Sequence, residues 1–287
     1  MKLINFDHIS ANPLLPEVKQ VMIDAVNGDY HNPSSQHSDG DAAAALLEAA
    51  REAAARLIHA ENPKEIVFTS GGTESINHVI KGVAMATQDK GNHIVTSNIE
   101  HNAVIRSLKR LKSFRYDVTS LSVDSSGRVN PEDVEKAITD KTVLISIMHS
   151  NNETGTIQPI AEIGRIAREK KVLFHTDAVD SVGVVPIDVR ELNADLISFA
   201  SNTFYGPTGV GGLDVRRGAR IFPLLEGGVQ ENNKRAGTEN LTGIIGMGKA
   251  AELAARDMDA RYRHLLDLKT YFLAELPNYM DEYIINT

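Results

Sequence analysis

The sequence predicts an α/β fold, a mainly parallel sheet covered by helices on both faces. Strand-length apolar runs alternate with helix-length segments along most of the chain, which is the pattern of that architecture. Acidic, glycine-bearing or amide-rich stretches follow several of these runs, and in a parallel sheet that places them along one edge. With 42% hydrophobic and 24% charged residues, a chain of 287 residues can also bury a large core.

In chain order, residues 40–60 read as a long alanine-rich helix capped by Ser38 or Asp39. Residues 65–70 (Glu-Ile-Val-Phe-Thr-Ser) form a short strand, Gly71, Gly72 and Thr73 a turn, and residues 74–85 a helix. Further strands are expected at 93–97, 117–123, 143–148, 172–177 and 195–199, with helices at 102–111, 131–138 and 160–169. After the glycine-rich stretch from Tyr205 to Leu213 the pattern changes to a loop and a last long helix from Thr242 to about Leu276. Tyr283-Ile-Ile285 reads as a strand that begins a further element. Alone it would be marginal, so it is expected to pair with the N-terminal segment or to continue into more polypeptide.

The charge balance excludes a generic polyanion binder: 30 Lys+Arg against 38 Asp+Glu leave a net charge of −8, so no nucleic-acid partner is expected. There is no cysteine, which removes disulfides, thiolate metal sites and cysteine nucleophiles from this chain. No stretch reaches the roughly 18 uninterrupted apolar residues of a membrane span, and residues 1–10 lack a leader's apolar core. A cytoplasmic protein without a membrane partner is the expectation.

Four stretches carry candidate chemistry. Ser70-Gly71-Gly72-Thr73-Glu74 between a strand and a helix offers free N–H groups and the Thr73 hydroxyl to a phosphate, or is simply a tight connection. Phe174-His175-Thr176-Asp177-Ala178 puts a carboxylate at a strand's carboxyl end, where it pairs with a cationic ring nitrogen or serves as a cap. His175 and Asp177 resemble a metal pair, yet spacing suggests no third ligand, so no metal is expected. His101, just after a strand, has a flat ring suited to stacking on an aromatic ligand, unless it is a satisfied loop residue. The loop His149-Ser-Asn-Asn-Glu-Thr-Gly155 supplies amide donors or forms Asx turns.

These stretches belong to a larger set of eight blocks in order: 31–37 (His-Asn-Pro-Ser-Ser-Gln-His), 68–74 (Phe-Thr-Ser-Gly-Gly-Thr-Glu), 99–101 (Ile-Glu-His), 147–153 (Ile-Met-His-Ser-Asn-Asn-Glu), 155–159 (Gly-Thr-Ile-Gln-Pro), 174–178, 204–207 (Phe-Tyr-Gly-Pro) and 235–240 (Arg-Ala-Gly-Thr-Glu-Asn). With them the sequence resembles the NifS/IscS-type cysteine desulfurases, pyridoxal-phosphate (PLP) enzymes of the class V aminotransferase group with fold type I. The resemblance implies a seven-stranded-type sheet in a large domain at 15–255, a segment 1–14 joining a small domain, and the start of a truncated small domain at 256–287. It further implies that Gly72 and Thr73 hold the cofactor phosphate, that His101 stacks on the ring, that Asp177 pairs with the ring nitrogen, and that Asn152 lies near cofactor and substrate carboxylate. Thr238 would reach the phosphate of a neighbouring subunit in a homodimer.

The departures from the family are concerted. Where its motif Ser-x-His-Lys carries the lysine that bonds PLP, this chain has Ala200-Ser201-Asn202-Thr203, and a hydroxyl forms no Schiff base. Ala200 removes a phosphate-binding hydroxyl, Asn202 replaces a second phosphate donor, and Asp180 stands where the family has a ring-hydroxyl-donating Gln. The family's persulfide Cys and a carboxylate-gripping Arg lie beyond the last residue of this chain. Three readings follow: a binding or assembly subunit in sulfur or iron–sulfur metabolism that keeps PLP noncovalently or holds no cofactor; an enzyme using noncovalent PLP or pyridoxamine phosphate with His101 or Asp180 as base; or a desulfurase completed by another chain that supplies the missing C-terminal function.

Overall fold

The computed structural model describes His8, residues 12–28 and residues 31–285. Helix α1 (Pro16–Asn27), with proline in its first turn, precedes α2 (Ser38–Leu57). Strand β1 (Ile66–Thr69) leads through Ser70 and Gly71 into α3 (Gly72–Ala86). There follow β2 (His93–Ser97), α4 (Asn102–Lys112), β3 (Asp117–Leu121), α5 (Pro131–Ala137), β4 (Thr142–Ser146), α6 (Ile160–Lys170), β5 (Leu173–Asp177), α7 (Val189–Leu192) and β6 (Leu196–Ala200). Next come β7 (Gly211–Val215), the single turn α8 (Gln230–Asn233), in which Glu231, Asn232 and Asn233 take left-handed angles, and α9 (Leu241–Glu275), which ends in a 3-10 turn at Leu276–Asn278.

The seven strands form one sheet in the order β1-β7-β6-β5-β4-β2-β3, parallel except for β7, which runs antiparallel to both β1 and β6. Alternate side chains of each strand enter opposite cores, as the two-residue period requires. Phe68, Val95, Ile145, Phe174 and Phe199 face the layer of α2, α6 and α9. Val67, Ile94, Leu144, Leu196 and Leu213 face α3 and α4. The strand order reverses between β2 and β4, so the loops after these two strands meet at the carboxyl edge, where open parallel sheets bind ligands.

Several expectations are corrected. The cap of α2 is His37, whose Nδ1 accepts the Gly40 N–H at 3.3 Å, because Ser38 and Asp39 already lie inside the helix. That helix ends at Leu57, where Ile58 leaves helical geometry. No strand is among the expected elements around Leu213, yet Val210 leads into β7, whose glycines hide it from a hydrophobic pattern. They are required by contact, since a Cβ on Gly212 would lie 2.2 Å from the Phe199 ring and one on Gly211 2.6 Å from Gly71 Cα. Helix α1 is not among the expected elements, although Pro16 at its start and the helical spacing of Val18, Met22 and Ala25 mark it. Tyr283-Ile-Ile285 is no strand; with no strand beside them among the described residues, these side chains stand exposed. Of the expected joining segment 1–14, only His8 and residues 12–14 are described. Among the described residues no helix is long and apolar enough to cross a membrane.

Candidate functional site

In the β1–α3 connection the Ser70 and Gly71 N–H groups are held by Glu74 and the Thr69 hydroxyl, at 2.8 and 3.4 Å, which leaves the amides at the start of α3 as the free ones. Gly71 takes φ 146°, a conformation L side chains rarely adopt, and a Cβ there would meet only open space. The cap supplies no side-chain bond to the first turn of α3, so the early N–H groups of this 15-residue helix point outward together with the exposed Thr73. A Cβ on Gly72 would lie 2.5 Å from Val179 Cγ2, so a side chain there would force one of the two to shift. That contact seats the turn directly against the residues that follow β5.

Asp177 ends β5 nearly buried, and its Oδ1 accepts the Val179 N–H at 3.1 Å. Burial, reinforced by the neighbouring Asp180 charge, pushes its carboxyl up to about 7. Asp180 is itself raised by burial, an effect that nearby His101 opposes. His101 caps α4, its Nδ1 accepting the Ala103 N–H at 3.1 Å. It shares with Thr73 a cavity of about 380 Å³ that continues along the α3–α4 seam past Asn77 and Arg106. Thr73 and His101 line that cavity; Gly72, Asp177 and Asp180 do not, and are tied to them as neighbours. Gly72 is tied through its contact with Val179, whose N–H also donates to Asp177, and Asp180 through the nearby His101, so that the five form a candidate crevice at the carboxyl edge of the sheet.

Other expected residues are engaged locally or exposed. Asn202 and Thr203 are half-buried in the turn after β6, where the Asn12 amide donates to both of their carbonyls at 3.3 and 3.0 Å. The Thr203 hydroxyl donates back to the Ala200 carbonyl at 2.9 Å. Asn152 is exposed and bonds Glu153, while its neighbour Asn151 is buried and shapes the loop, accepting the Glu153 and Thr154 N–H groups. Thr238 is exposed on the loop before α9. His175 is fully buried, and its two nitrogens contact the Ser146 and Ser198 hydroxyls at 2.9 Å, so the ring cross-links β4, β5 and β6.

Sequence reasoning missed Glu100. It is buried between the loops after β2 and β4; Oε1 accepts the Ser97 hydroxyl at 2.5 Å and the Met148 N–H at 3.0 Å, and Oε2 has no partner among the described residues. Burial pushes its carboxyl up to about 8, and Asp177 adds to the rise. The available signal was position, since Glu100 immediately precedes His101. A polar chain of His149, Ser181 and Ser150, at 2.8 and 2.6 Å, braces the neighbouring loop.

The donor set fits a phosphorylated, nitrogen-containing aromatic ring: outward amides and a hydroxyl at one end, a buried carboxylate and an imidazole at the other. It does not fit a covalent link at the end of β6, where a short hydroxyl is turned back on its own strand.

The chain matches the aminotransferase class-V family over residues 4–287. It is 48% identical over 283 residues to the cysteine desulfurase IscS of Dictyoglomus turgidum, covering 99% of this chain and 72% of that one. The IscS of Methanosarcina thermophila is 48% identical over 268 residues, covering 93% of this chain and 66% of its relative. Among solved structures, a NifS-like protein matches with a TM-score of 0.92 at 38% identity, over 95% of this chain and 75% of that one. SspA in complex with cysteine matches with a TM-score of 0.84 at 39% identity, over 87% and 72%.

Proposed function

The chain belongs to the class V aminotransferase family, in its cysteine desulfurase-like IscS/NifS branch, and from that premise we propose that it holds PLP or pyridoxamine phosphate without a covalent bond. On this reading it does not carry out desulfuration by itself and serves as a cofactor-binding or assembly subunit, paired with a second copy. The observation that carries the reading is the asymmetry of the crevice. The residues suited to ring and phosphate are gathered, whereas Thr203, in place of the family's lysine, is bonded to Ala200.

The amides of Gly72 and Thr73 and the Thr73 hydroxyl would hold the phosphate, Asp177 the ring nitrogen, and His101 a ring face. When bound, the cofactor supplies an electron sink for bonds at the carbon bearing an attached amine. Asp177 keeps that sink effective by staying ionised opposite a protonated nitrogen, which reverses the burial effect that otherwise keeps its proton on. Without an amine at position 203, no side chain there takes a proton from the substrate carbon. Asp180 beside His101 supports the second reading, an enzyme acting on a preformed cofactor–amine adduct, because burial makes its carboxylate a better base.

Titration with PLP followed by ultraviolet–visible spectroscopy, borohydride reduction and intact mass tests the proposal. A bound chromophore with no mass gain after reduction is expected. A reduced pyridoxyl group fixed to the wild-type chain, or sulfide released from cysteine by this chain alone, would overturn it.

A further inference from the structure

The loop between residues 227 and 240 contains a run that L-amino acids rarely make. Glu231, Asn232 and Asn233 have φ values of 48°, 54° and 62°, three consecutive non-glycine residues in the left-handed region, which is normally visited singly. Such a turn persists only where its surroundings over-determine it. Here they do. The buried Glu231 carboxylate accepts two bonds from the Arg51 guanidinium, at 2.7 and 2.9 Å, and the Phe68 N–H of β1 at 2.8 Å. Arg51, itself buried, also donates to the Ile66 carbonyl at 2.7 Å and lies 4.7 Å from the centroid of the Phe68 ring.

Four residues on, the same loop makes a second anchor. Arg235 Nε donates to Glu74 Oε1 at 2.9 Å, and Glu74 Oε2 accepts the Ser70 N–H at 2.8 Å. The pair is mostly shielded, with side chains 19% and 11% exposed, and it holds the Glu74 carboxyl below its ordinary range against the upward effect of burial. The two anchors land on the strand before the Gly71–Thr73 turn and on the first helical turn after it. Glu74 is therefore ionised one residue from the amides proposed to take a phosphate. Unpaired, that carboxylate would repel the anion; paired, it closes the turn and contributes little net charge.

We propose that this loop is a strut for the phosphate cradle, in which Arg235 neutralises Glu74 and the Arg51–Glu231 clamp keeps Arg235 in place, all four acting as positioning residues. The proposal rests on the reading of the crevice as a PLP site and adds what makes its phosphate end receptive. It separates charge from mere support, because pyridoxal shares the ring of PLP and lacks the phosphate.

The test measures dissociation constants of PLP and of pyridoxal for the wild type, Arg235→Gln, Glu74→Gln/Arg235→Gln and Arg51→Met. Arg235→Gln should weaken PLP about tenfold and pyridoxal less than about twofold, and the double variant should recover most of the loss. Arg51→Met should follow Arg235→Gln in sign and ligand preference. If PLP and pyridoxal weaken equally, or if the double variant is no better than the single one, the strut is a structural brace only and the proposal fails. If wild-type protein binds pyridoxal but gains nothing from the phosphate, the strut fails while the ring site stands. If it binds neither ligand, the reading of the crevice fails and takes the strut with it.

Discussion

The two ends of the crevice are built to different standards. At the β1–α3 end, Gly72 is held by contact with Val179, the first amides of α3 face outward, and two shielded ion pairs brace the strand before the turn and the helix after it. At the β6 end, Ala200, Asn202 and Thr203 offer one hydroxyl, and it is bonded to its own turn. A site under uniform decay would have loosened both ends. On the proposed reading, seating an anion and a ring is separable from bonding it, because the two tasks fall to different strands and different residues.

Thr203→Lys gives the largest expected effect. If only the amine is missing, PLP should then leave a borohydride-stable pyridoxyl mass on the chain where the wild type shows none; its absence would mean that the β6 end is misplaced as well as stripped. Asp177→Ala comes next, and removing a charged partner from a buried site should weaken PLP by about tenfold or more in a spectroscopic titration. Gly72→Ala bears on the braced end. With its new Cβ 2.5 Å from Val179 Cγ2, the variant should lose about 1–3 kcal/mol of stability in denaturant unfolding.

Glu100→Gln sharpens the comparison through pH. A carboxyl raised to about 8 keeps, in the folded state, a proton that the unfolded chain has released, so it makes stability fall as pH rises from about 4.5 towards 8. Asp177 and Asp214, each pushed up to about 7 by burial, act in the same direction. The buried imidazoles of His78, His149 and His175, lowered to about 4, 4 and 3, act in the opposite sense but only below about pH 6.5. Thermal unfolding should therefore show stability declining between about pH 6.5 and 8. The Gln variant should flatten that decline and gain about 1–3 kcal/mol at pH 8. The smallest effect is expected from Asp180→Gln, a severalfold tighter PLP titration once a like charge is removed from beside Asp177.

The parallel strands were legible because β2, β4, β5 and β6 are buried on both faces and so read as continuous apolar runs. β7 was not, because two of its five residues are glycines chosen by the proximity of Gly71 and Phe199, contacts invisible in one dimension. The crevice residues on strand-end loops were legible for a related reason: a short polar motif directly after a buried apolar run sits at the carboxyl edge of the sheet, where ligands are held. Glu100 and Glu231 were hidden by their type, since a lone glutamate reads as surface until the structure reveals Met148, Phe68 and Arg51 around it.

β7 also governs when the crevice can exist. It is hydrogen-bonded on one side to β1, which leads into the cradle, and on the other to β6, which leads into Thr203. Its pairing with β1 joins residues as distant in the chain as Ile66 and Asp214. Its pairing with β6, where Ala200 faces Gly211, closes only a short loop, so the entropic cost of closure falls on the β1–β7 pairing. A chain in which β1 and β7 are not yet paired carries every crevice residue while the β1 turn and the β6 turn are not yet held side by side.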